Sequence, residues 1–243
     1  MNTAYIGFEV RRVLRSRRAV IFTLLLPVVL FEFIGPNLSK DRIGGLTGLA
    51  YYMVSMATYG IMAATFSMGG RIVAERSIGW NRQLRLTALP GWQYVVSKMI
   101  AGFSMGVPAV VLLFVLGAAH GIRMPADRWL LAGVSIVVGV LPVAVAGVWV
   151  GYLSSKIESA QQVIGLAYSV VGFLAGIWIP LEAFPHWLRD TFEVLPFAWI
   201  PRAGRAALDG GWVGWGGAAI ILAWTVAFGA LAARAYVRDA LRV

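Results

Sequence analysis

Residues 71–98 read RIVAERSIGWNRQLRLTALPGWQYVVSK and separate two long stretches, 43–70 and 99–119, that carry no charge. Five of the chain's basic residues (Arg71, Arg76, Arg82, Arg85 and Lys98) gather in this one segment beside a single acid, Glu75. Each flanking stretch is long enough to cross about 30 Å of hydrocarbon as a helix. A cationic connection between two such stretches reads as a loop between membrane spans.

The rest of the chain extends that reading. Over 243 residues it is 59% hydrophobic and 13% charged, against about a quarter charged in ordinary soluble domains. The expected fold is all-α and polytopic, with six spans near Ala19–Gly35, Leu46–Gly70, Tyr94–Ala118, Trp129–Leu153, Ala160–Pro180 and Trp212–Ala233. Pro27, Pro108 and Pro142 fall inside spans, where proline kinks a helix rather than ending it. No window shows the short alternating segments of a membrane barrel. Cysteine is absent, which excludes disulfides, zinc–thiolate clusters and thiol chemistry.

Charge sets the orientation. The N-terminal arm, the 71–98 segment, Lys156 and the tail hold 14 basic and four acidic residues. The opposite loops hold seven of each, so the net charge of +10 lies on one side. By the positive-inside rule both termini are cytoplasmic in a bacterial plasma membrane, and the excess of cations reports topology rather than nucleic-acid binding. Residues 1–18 are expected to form an amphipathic interfacial arm, with Arg11, Arg12 and Arg15 against anionic headgroups. SRRAVIF (16–22) loosely resembles an export signal, but no small-x-small cleavage site follows, so the first apolar run is expected to stay as a span. In the outer loop, 181–211, regularly spaced prolines predict two short helices, about 184–194 and 199–209, lying at or dipping into the interface.

Absences narrow the chemistry. The spans are nearly free of ionisable residues, with Glu32 and His120 near their outer ends, which argues against a proton relay. There is no Gly-Lys pair and hence no phosphate-binding loop, so the energy for any pumping comes from another polypeptide. No metal-ligand cluster and no channel filter is present. GFSMG (102–106) satisfies the G-x-S-x-G pattern, but no strand precedes it and His120 and His186 are expected at the outer surface. A small-residue packing face is the better reading, with an intramembrane serine hydrolase at Ser104 as the alternative from another class. No catalytic residue is assigned.

Within the opening segment a short helix is expected over Trp80–Ala88, with Trp80 and Leu84 one turn apart and Arg82 and Arg85 on another side. Such an element can grip lipid headgroups or fit a groove on a soluble partner, and composition leaves both open.

The pattern E-R-x-x-G-x-x-x-x-L-R-x-T-x-L-P from Glu75 to Pro90, followed by Tyr94 and Lys98, resembles the signature loop of type-2 ABC exporter permeases. That family includes drug-resistance permeases and permeases for polysaccharide and teichoic acid export. GIWIPLEAFPHWLRDTFEVLPF (176–197) is similar to the family's Pro-rich outer segment, and the resemblance covers the whole chain as one permease domain, 1–243. It implies a dimer, homo- or heteromeric, working with two copies of a separate ATP-binding subunit. ATP and Mg would sit on that partner, with no cofactor on this chain. It places the coupling helix in loop 71–93, formed by Glu75, Arg76, Gly79, Trp80, Arg82, Leu84 and Arg85. It implies export of a hydrophobic or amphipathic compound (a drug, antibiotic or lipid-like metabolite) or, alternatively, of a lipid-linked glycan. Tyr52, Met56, Tyr59 and Phe66 of the second span and Gln162 and Tyr168 of the fifth are path candidates, with ordinary helix packing the competing reading for each.

Overall fold

The computed structural model describes residues 3–80, 83, 91–154 and 156–241. Helix α1 (Thr3–Leu14) precedes α2 (Arg17–Ile34), and a short β1–β2 hairpin (Arg42–Ile43, Leu46–Thr47) leads into α3 (Gly48–Phe66). The Thr47 hydroxyl accepts from Ala50 N at 3.3 Å and caps α3. A bend at Ser67, whose hydroxyl donates to Ala64 O, passes the chain into α4 (Met68–Ser77). Then come α5 (Gly91–Ala119), α6 (Ala126–Gly139), α7 (Leu141–Leu153) and α8 (Ile157–Leu174). Helices α9 (His186–Glu193) and α10 (Pro196–Leu208) precede the last, α11 (Gly214–Leu241).

Helix α3 is apolar on every side, as a helix enclosed by others must be, and nearly all its residues are buried. It packs most extensively on α5, while α7 packs on α11, α6 on α10, and α1 on α5. By contrast α2 and α11 present Ile21, Leu25, Phe33, Leu222 and Val226 outward. Large apolar residues on one helix face, with no protein against them, are the surface a lipid phase would cover.

The crossing of α4 and α7 explains three glycines. A Cβ on Gly69 would stand 2.3 Å from Gly147 O, and one on Gly151 would stand 2.8 Å from Gly69 O. The two backbones touch, so only glycine fits. Gly147 and Gly151, whose spacing carries little information in sequence, are this contact.

Of the six expected spans, five are matched among the described residues by segments long and apolar enough to cross a membrane: Ala19–Leu38, Gly48–Ser77, Gly91–Ala119, Ala126–Leu153 and Gly214–Asp239. Helix α8 occupies the remaining place, but it has 18 residues and Glu158, Gln161 and Gln162 dilute its first turns. The outer-loop helices also appear, yet α10 does not lie on the surface. Its Ala198, Ile200, Ala203 and Ala207 are buried between α3, α6 and α11.

Candidate functional site

Glu75 and Arg76 are neighbours on α4, about 100° apart around the helix, and so face different partners. Glu75 turns towards α1 and α5. Lys98 Nζ reaches Glu75 Oε1 at 2.6 Å and Glu9 Oε2 at 2.7 Å, and Arg12 Nη1 reaches Glu75 Oε1 at 2.7 Å. Tyr94 donates to Glu75 Oε2 at 2.7 Å and Tyr5 to Glu9 Oε1 at 3.1 Å. The Lys98 side chain is 1% exposed and both carboxylates 2%, while Arg12 is 43% exposed. Lys98 and the more exposed Arg12 thus pair directly with the two carboxylates, and Arg71 lies within electrostatic reach of both acids. Burial of unpaired charge would be prohibitive, and this pairing with hydrogen bonds is what permits it. Burial, and then the Glu9 carboxylate beside it, push the Tyr5 phenol well above the usual tyrosine range, so it stays a hydrogen-bond donor.

Arg76 turns the other way. Its Nη1 donates to Gly151 O (3.0 Å) and Ser154 O (2.9 Å), carbonyls at the end of α7, where a cation complements the helix dipole. Its Nε and Nη2 donate to Asp239 of α11, and the guanidinium lies 5.6 Å from the Tyr152 ring centre. One turn of α4 is therefore tied to α1 and α5 by Glu75, and to α7 and α11 by Arg76. Gly79 follows at φ +73°, a left-handed turn that a side chain would strain.

Of the residues expected in the coupling helix, Glu75 and Arg76 point into the protein. Trp80 is half-buried beyond the Gly79 turn, and Arg82, Leu84 and Arg85 lie outside the described residues. In the arm, Arg11 and Arg15 are exposed, whereas Arg12 reaches Glu75. Lys98 is not part of a loop: it lies two turns inside α5. The spans are thus less free of charge than their composition implies, because Lys98 and Glu75 neutralise each other at the helix ends. Arg205, expected in an outer loop, is also buried. Its guanidinium lies 3.5 Å from the Tyr51 ring centre and donates to Ser55 Oγ and Gly176 O. Sequence reasoning missed Glu9 as a partner. Its signal is that it is the one acid among the five arginines of the arm.

The path candidates divide. Tyr59, Phe66 and Tyr168 share a cavity of about 270 Å³ between α2, α3 and α8, with Leu26, Pro27 and Ile164 among its walls. Tyr168 donates to Tyr59 O at 2.7 Å and the two rings lie 4.3 Å apart. Phe66 and Tyr168 also wall a second, wholly apolar cavity of about 170 Å³ that reaches Trp149 and Phe228. Tyr52 and Met56 are instead enclosed in the core, and Gln162 faces outward on α8. Ser104 donates to Ala101 O, as a helical serine does, and Gly102 and Gly106 press against α3. His120 bonds to Glu32.

A helical bundle of this polarity, with Glu75 and Arg76 tied to the helices behind them, agrees with what comparison with known proteins finds. Residues 36–234 match the family model described as "ABC-2 family transporter protein". The chain is also 28% identical over 222 residues to "Putative transport permease YvfS" of Bacillus subtilis (strain 168), covering 90% of each chain. The protein belongs to the ABC-2 transporter family, as a multi-pass transmembrane permease.

Proposed function

We propose that this chain is the transmembrane part of an ATP-driven exporter in which residues 78–90 seat in a groove of a separate ATP-binding subunit, two of each chain per complex. Permeases of this family work in general with such a subunit. The observation that carries the reading is the enclosed cluster Glu75–Lys98–Glu9, which Arg12 reaches from the exposed side. Glu75, through that cluster, and Arg76, through Asp239 and the end of α7, act behind the docking segment rather than on its surface.

Push on the segment after Gly79 and α4 must move, because it is continuous with that segment up to the turn. Short charge-assisted bonds through Lys98 carry the motion to α1 and α5. Arg76 carries it to α7 and α11. The arm therefore moves with the segment instead of sliding on headgroups. Cargo is a hydrophobic or amphipathic compound taken up beside Tyr59, Phe66 and Tyr168, where aromatic walls bind bulky apolar groups without fixed polar geometry. Those walls favour such a compound over a glycan.

Disulfide trapping tests the docking. The chain has no cysteine, so single cysteines placed at 79–88 can be oxidised against cysteines around the groove of the ATP-binding subunit. Adducts at several of these positions, with yields that change on adding ATP, are the expected result. A complex that assembles and hydrolyses ATP with no adduct at any of them overturns the docking reading.

A further inference from the structure

At the end of the bundle opposite α1, the β1–β2 hairpin, the α5–α6 connection and the start of α6 enclose a cavity of about 390 Å³. Three arginines are among the residues that line it: Arg42 from β1, Arg123 from the connection and Arg128 from the first turn of α6, with His120, whose ring bonds to Glu32, beside them. No carboxylate does so among the described residues. This end of the chain carries seven basic and seven acidic residues and is neutral overall, and two of the acids are committed to other partners. Glu193 takes Arg189 and Arg202, and Glu32 takes His120. Arg42, Arg123 and Arg128 have no ion pair with any described residue.

The arrangement is held in place. Arg128 Nη1 donates to Leu208 O at 3.2 Å, which ties it to the end of α10. The connection turns at Gly121, φ +94°, and closes with Ile122 N donating to Gly117 O at 3.0 Å. Three like charges around one concave space repel one another and raise the local potential for an anion. Guanidinium forks match the oxygens of a tetrahedral phosphate better than any other common anion. Leu49 and Ile122 add apolar wall, which suits a phosphate attached to an organic group.

We propose that this cavity is a binding site for a phosphate group, either the headgroup phosphate of an anionic phospholipid or that of a soluble phosphorylated molecule. Both sources present the same oxyanion to the exposed Arg42 and Arg123 and to the half-buried Arg128. The site stands apart from coupling to ATP and can be tested on the permease alone.

The full chain, purified in detergent, is titrated with inorganic phosphate by calorimetry. Native mass spectrometry reads its retention of phosphatidylglycerol. The informative variant is Arg42→Gln/Arg123→Gln, which leaves the Arg128–Leu208 bond intact. Arg234→Gln/Arg238→Gln, at the opposite end of the bundle, controls for general charge. The Arg42/Arg123 variant is expected to bind at least one probe about tenfold or more weakly than wild type, and the control to match wild type. Loss of phosphate binding with phosphatidylglycerol retained assigns a soluble phosphorylated ligand, and loss of phosphatidylglycerol, with or without phosphate, assigns a lipid headgroup. The proposal is overturned if wild type binds neither probe, if the Arg42/Arg123 variant retains both like wild type, or if the control loses as much.

Discussion

Lys98→Met is the most informative single change in this protein. Lys98 is 1% exposed and is the cation shared by Glu9 and Glu75. Methionine keeps much of its length and removes its charge, which leaves the two enclosed carboxylates to Arg12, 43% exposed, and the more distant Arg71. Removing one partner of a buried pair costs about 3–5 kcal/mol, because the surviving charge stays in a poorly solvating site. For a chain of this size each kcal/mol moves the thermal midpoint by about 2–4 °C. The expected loss is therefore roughly 6–20 °C. The charge argument also predicts a rescue. In Glu9→Gln/Lys98→Met, Glu75 keeps Arg12 and Tyr94 at 2.7 Å each, no enclosed carboxylate has lost its only close cation, and at least half the loss should return. Tryptophan fluorescence during a thermal ramp reads both, since the chain has 10 tryptophans. A midpoint shift under about 2 °C in Lys98→Met, or a double variant no better than the single one, would falsify the reasoning.

The α4–α7 contact can be probed with two adjacent glycines. Gly69→Ala places a Cβ 2.3 Å from a backbone oxygen, whereas at Gly70 the nearest atom would be Ile164 Cδ1 at 3.7 Å. The first should lower stability by about 1–3 kcal/mol through overpacking, and the second should raise it by up to about 1 kcal/mol through helix propensity. Equal effects in thermal unfolding would sink the contact as drawn. At the far end, hydrogen bonds from Arg202, then Arg189, hold the Glu193 carboxyl below its usual range despite partial desolvation. A lowered folded value means that its contribution is full above the ordinary carboxylate range near pH 4, and that it is lost as pH falls through the folded value. The midpoint difference between wild type and Glu193→Gln should thus be present at neutral pH and vanish on acidification. A difference constant across that range would refute the assignment.

Much of the fold is legible because hydropathy sums over many residues. An apolar run long enough to span is apolar whatever its neighbours do, so each expected span has its helix, although α11 runs eight residues past the expected end and α4 carries the second span on to Ser77. Proline and glycine punctuation works for the same local reason: Pro185 and Pro196 bracket α9, and Gly79 turns the chain after α4. The 18-residue α8 marks the margin of this logic, since Glu158, Gln161 and Gln162 interrupt its apolar run in the first turns.

Side-chain partners are another matter. Glu75, Arg76 and Lys98 look from the sequence like one charged loop. Counting charges by side of the membrane treats each as a point at a helix end, without regard to the face it occupies. Rotation about α4 decides that Glu75 meets α1 and α5 while Arg76 meets α7 and α11. Arg205 is read as a loop cation for the same reason, although its helix turns inward. What the sequence alone determined is the apolar bundle, its breaks, the segregation of charge and the signature pattern, all properties of residues near one another in the chain. What only the tertiary structure decided is which charges are enclosed and paired. Lys98 is 89 residues from Glu9, and Arg76 is 163 from Asp239. Enclosing such charges is permitted only once helix packing has brought their distant partners within hydrogen-bond reach.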